Sequence, residues 1–120
     1  MAEFTPVPVE SVDDFVSWLT DHGASEGELW VEIYKKSSKR QTVTFDELLN
    51  AAICHGWIDV KTQSIDELRY AIRFVPRKPG SNWSEPNRER VRRLLADGAM
   101  TAAGIALLPP DLRNGLDGGS

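Results

Sequence analysis

Between Leu68 and Val75, the apolar residues Tyr70, Ile72 and Phe74 alternate with Arg69, Ala71 and Arg73. A period of two sends three bulky side chains to one face of a strand and two arginines to the other. Such a strand has one face to bury and one to wet, the pattern of an antiparallel sheet covered on a single side. Glu28–Lys36 repeats the pattern, with Leu29, Val31 and Ile33 opposed to Trp30, Glu32 and Tyr34. Ile58–Thr62 reads as a third strand, joined to the 68–75 strand by a turn around Ser64–Glu67. Pro76, Pro79 and Gly80 end that strand.

The segments between the strands carry a different period. Ser11 is placed to cap a helix with Asp14 three residues on, and Val12, Phe15, Val16 and Leu19 line one of its faces before Gly23 ends it. Thr44 and Glu47 form a capping box ahead of Phe45, Leu48, Leu49, Ala52 and Ile53, with Gly56 closing the helix. Ser84 caps a third helix with Pro86 in its first turn, and Gly98 stops it. Thr101–Leu108 is a short apolar helix. The expected order is α-β-α-β-β-α-α: an α+β fold with a small antiparallel sheet of about three strands and helices on one side. Residues 1–10 read as an extended lead, 11–108 as a single domain, and 109–120, with Pro109–Pro110 and a glycine-rich end, as a flexible tail.

A chain of 120 residues is of single-domain size, and its one cysteine, Cys54, has no internal partner for a disulfide. No run approaches the roughly 20 apolar residues of a membrane span. The first ten residues are acidic and hold two prolines, unlike a secretion signal, which together with the lone thiol suggests the cytoplasm. The net charge of −4 hides an asymmetry: residues 1–34 hold eight acids and no lysine or arginine, whereas 35–93 hold thirteen bases against seven acids. This balance argues against a general nucleic-acid coat but leaves room for a confined basic patch.

The segment 73–87 is the best candidate for such a patch. Arg73, Arg77 and Lys78 precede a helix start that offers Ser81, Ser84 and Asn87, and free N–H groups at a helix start favour an anion. Arginine adds paired donors that match phosphate or carboxylate, and Trp83 offers a stacking face. Lys35, Lys36, Lys39 and Arg40 form a second cluster, which joins the first if the two lie side by side. Trp57 and Asp59 share one face of their strand, where Asp59 can orient Arg73 or Arg77. The bland alternatives are equally physical: Ser84 as a plain cap, Trp83 and Trp57 as core, and the cations in ion pairs.

Two segments carry a family resemblance. Cys54-His55-Gly56-Trp57-Ile58-Asp59, directly after a helix, and Arg73-Phe74-Val75-Pro76-Arg77-Lys78-Pro79-Gly80-Ser81-Asn82-Trp83-Ser84-Glu85-Pro86-Asn87 occur with Trp30…Tyr34-Lys35-Lys36 and Phe45-Asp46-Glu47. Over residues 11–108 the chain resembles the bacterial YdeI/OmpD-associated family, the bacteriocin-protection proteins. The resemblance implies a link to protection against bacteriocins and cationic antimicrobial peptides and to the cell envelope. It implies no catalytic residue.

The leading expectation is therefore a protein that binds an anionic small molecule or an acidic partner protein, without catalysis, cofactor or metal. A second is a nucleotide- or nucleic-acid-binding module with Trp83, Trp57 and Tyr34 as stacking faces. A third is a small enzyme using Cys54, His55 and Asp59, although neighbouring helical residues point about 100° apart. A fourth is capture of a cationic peptide by the acidic residues 1–34. His22, His55 and Cys54 lack a familiar metal-ligand spacing.

Overall fold

The computed structural model describes residues 6–23 and 27–113. It is an α+β fold built on a four-stranded mixed sheet in the order β1-β2-β4-β3. The elements are β1 (Val7–Pro8), α1 (Val12–His22), β2 (Leu29–Tyr34), a 3₁₀ turn (Lys36–Ser38), α2 (Phe45–Cys54), β3 (Trp57–Ser64), β4 (Arg69–Pro76), α3 (Glu85–Ala96) and α4 (Ala102–Ala106). β2 and β4 follow the alternation, with Leu29, Val31 and Ile33 facing Phe74, Ile72 and Tyr70 across their ladder.

The expected count of three strands falls one short. Val7 and Pro8 pair in parallel with Val31 and Glu32. Two residues are too few for alternation to register, and proline is tolerated on an edge strand because its missing N–H can face away from the ladder. Residues 1–5 of the expected lead lie outside the described residues. The expected tail also differs where it is described. Residues 110–113 are helical, Leu112 is buried, and Asp111 pairs with Arg88. Two prolines in succession mark the start of this turn, a position proline tolerates. Residues 114–120 lie outside the described residues.

The three long helices begin as their capping residues dictate. Ser11 accepts from Asp14 N–H, the Thr44–Glu47 capping box closes in both directions, and Ser84 accepts from Asn87 N–H. α1 and α2 cover the inner sheet face, where Phe15 meets Phe74 with ring centroids 4.9 Å apart. The opposite side of α2 joins α3 and α4 in a second cluster through Leu49, Ile53, Val91, Leu108 and Leu112. α2 is thus apolar on two sides, one per cluster. No helix among the described residues is long and apolar enough to cross a membrane.

Candidate functional site

Proline at 76 ends β4, but the chain keeps one more backbone tie: Arg77 N–H donates to the Gly56 carbonyl at 2.8 Å. Gly56 sits at φ +81, a left-handed conformation that glycine adopts without strain and that turns α2 into β3. Held there, Arg77 tucks its side chain beneath the loop that follows. Its Nε donates to Ser81 Oγ at 3.0 Å and its Nη2 to the Asn82 carbonyl at 2.6 Å. Its guanidinium carbon lies 3.6 Å from the centre of the Trp83 ring, a cation–π contact. Arg77 is only 9% exposed. Burial lowers its pKa and the Asp59 carboxylate pushes it back up, and an arginine stays protonated in either case. Nη1 is buried with no hydrogen-bond partner among the described residues.

Arg77 is therefore a brace for the 77–84 loop and not the exposed anion receptor the sequence suggested. What it braces is a cleft of about 350 Å³ between that loop and the chain after α4. Ser81 and Trp83 form one wall, and Leu107, Pro109, Pro110 and Arg113 the other. Because Ser81 Oγ accepts from Arg77, its own proton is free to be donated into the cleft. Arg113 contributes an exposed guanidinium. Of the side-chain polar groups here, Ser81, Trp83 and Arg113 all have donors to offer, and two prolines and a leucine supply an apolar surface.

The other expected site residues are dispersed. Ser84 spends its oxygen on the α3 cap, accepting from Asn87 N–H at 3.4 Å. Arg73 lies on the outer sheet face and pairs with Glu28 at 2.7 Å. Lys35 Nζ donates to Ser64 Oγ at 2.8 Å and to the Asp66 carbonyl at 2.7 Å, tying down the β3–β4 turn. Lys36 opens the exposed 3₁₀ turn, and Lys78 is exposed beside Arg77. The two basic clusters do not merge. Tyr34 pairs with Arg69 at the start of β4, and Arg77 follows its end. Eight residues of strand separate these points, roughly 26 Å. Trp57 is 2% exposed and meets Trp18 edge-on at 5.7 Å, so it has no free face on which a base could stack. Asp59 acts on Arg77, whereas Arg73 has Glu28 instead.

A second cleft of about 400 Å³ lies on the solvent side of α2 between α1 and the end of α3. Val12, Val16, Ala51, Cys54, Leu94 and Ala99 line it, with Glu47, Asn50 and His55 as its polar groups. Burial raises the Cys54 pKa and lowers that of His55, so the pair rests as neutral thiol and neutral imidazole. That is the reverse of an activated thiolate. Among the described residues, no group of three or more His, Cys, Asp or Glu is placed to hold a metal ion.

Sequence reasoning found Ser81 and Trp83 but not Arg113, Pro109 or Pro110. Those residues reach the cleft only because the α3–α4 connection turns the chain back, and no local pattern encodes that. Among comparisons with known proteins, no curated protein and no solved structure matches the chain. A family model described as a domain of unknown function matches residues 7–107, which include both walls of the second cleft and all of the 77–84 loop. The chain belongs to this family, DUF8412.

Proposed function

We propose that this protein is a binding module without catalysis, and that its ligand is an anion with a flat or apolar portion taken up beside Trp83. The observation that carries this reading is the Arg77 brace. It commits a buried cation to fixing Ser81 and Trp83 in one wall of a cleft whose opposite wall presents Arg113. Fixing donors before the ligand arrives reduces the ordering cost of binding. The neutral thiol of Cys54 speaks for binding over nucleophilic chemistry. The lone thiol favours a cytoplasmic setting. The resemblance of residues 54–59 and 73–87 to the YdeI/OmpD-associated family supports a role for this binding in protection against bacteriocins.

The test is a tryptophan-fluorescence titration with inorganic phosphate, benzoate and adenosine monophosphate at low and moderate salt. The expected result is saturation by one of them that weakens with salt, is lost in Trp83→Phe, and weakens about tenfold in Arg113→Ala, or 1.4 kcal/mol. An acidic peptide, run alongside, tests a protein partner at the same wall. A titration that saturates equally in Arg113→Ala and Ser81→Ala overturns the reading.

A further inference from the structure

The second cleft has a chemistry of its own. Six apolar or weakly polar side chains from four parts of the chain line it, and its volume of about 400 Å³ falls in the range of small-molecule sites. Two of its three polar side chains, Glu47 and His55, offer acceptors. Glu47 uses Oε1 to close the α2 capping box, accepting from Thr44 N–H at 3.0 Å and Thr44 Oγ1 at 3.1 Å, while Oε2 has no hydrogen-bond partner among the described residues. Asn50 accepts from Arg90 Nη1 at 2.9 Å. His55 rests neutral, with an acceptor nitrogen.

On the α1 side the charge has one sign. α1 carries Asp13, Asp14 and Asp21 and no lysine or arginine. Arg90 and Arg93 line an adjoining groove along α3 that shares Asn50 and Leu94 with this cleft, and the charge of Arg90 there is countered by Asp46 at 2.5 Å. Arg93 does not line this cleft.

We propose that this cleft binds a small molecule with an apolar body and a protonated amine, the body resting on Val12, Val16 and Leu94 and the ammonium on the Glu47 carboxylate. The site shares no lining residue with the Trp83 cleft and selects the opposite charge.

The test uses the full chain, isotope-labelled for amide NMR, titrated at pH 7.5 with hexylamine, hexanol and hexanoate. Hexylamine is expected to shift the Ala51, Cys54, His55 and Ala99 amides in a saturable way, hexanol to bind at least fivefold more weakly, and hexanoate not at all. Glu47→Gln keeps a capping-box acceptor and removes the charge. It is expected to bring hexylamine down to the affinity of hexanol while hexanol itself is unchanged. Ala99→Phe, at an exposed position, is expected to obstruct both ligands. Equal binding of hexanoate and hexylamine, or a preference for amine that survives Glu47→Gln, would each overturn the proposal.

Discussion

The two clefts are close in size and opposite in chemistry, and both depend on one joint. The Trp83 cleft offers donors and a cation, whereas the Cys54 cleft offers aliphatic walls and a carboxylate. Between them, Thr101 docks on the end of α2, donating its N–H at 3.0 Å and its hydroxyl at 2.6 Å to the Cys54 carbonyl. The difference teaches that the basic run along residues 35–93 is a poor guide to where an anion would sit. Most arginines in that run are spent in pairs: Arg69 with Glu32 and Asp66, Arg73 with Glu28, Arg88 with Asp111, Arg90 with Asp46 and Arg92 with Glu89.

The joint gives the largest expected effect. Gly104 lies so close to α2 that a Cβ there would land on the Cys54 carbonyl. Gly104→Val must push α4 away, breaking the Thr101 contacts and misplacing Ala99 and Leu107–Arg113 together. The expected loss is about 3 kcal/mol, the upper range for overpacking, read as a lowered denaturation midpoint. Both titrations should fail in the same variant, and survival of either would show that the clefts do not share this support.

Arg77→Met separates the clefts. It removes two hydrogen bonds and the contact with Trp83, but also a buried Nη1 that has no partner among the described residues. These opposing contributions limit the cost to about 1–2 kcal/mol. Anion binding beside Trp83 should fall at least tenfold while hexylamine binding is unchanged. An unchanged anion affinity would show that the loop holds its shape without the guanidinium.

Much of the architecture was legible because its signals are local. The alternation of Tyr70, Ile72 and Phe74 specified a one-sided sheet, and Ser11, Thr44 and Ser84 marked where helices begin. β1 was not legible, since Val7–Pro8 is shorter than the period that would reveal it. Trp83 and Ser81 precede a capped helix, which places them by local pattern in a cleft wall, whereas the burial of Arg77 beside them has no local signal. A sequence shows that an arginine is present, but its burial follows from the return of the loop over it. The merger of Lys35–Arg40 with Arg77–Lys78 failed for a related reason: their separation is set by strand register, which spacing along the chain does not disclose.

A smaller effect should come from pH. Burial lowers the His55 pKa below its ordinary value of 6.5, so the unfolded chain takes up a proton before the folded one does. Stability should hold above that value, decline as pH falls through it, and level off below the folded pKa. His55→Gln should flatten this part of the profile. In an NMR titration of the native protein, hexylamine binding should weaken only as pH falls through the lowered folded pKa, where protonated His55 places a cation in the cleft.

The smallest effect sharpens the comparison most at the Trp83 end. Arg73 and Glu28 are both substantially exposed, at 39% and 51%, so their pair is screened by water and salt. Arg73→Gln should cost no more than about 0.5 kcal/mol. Arg73 lies in the same basic run as Arg77, four residues away, but on the outer sheet face opposite Trp30. If the anion site is a built cleft, Arg73→Gln leaves its affinity and salt dependence unchanged while Arg113→Ala does not. If instead the two variants weaken binding equally, the anion responds to the summed field of the surface, and the Trp83 cleft loses its claim to be a site.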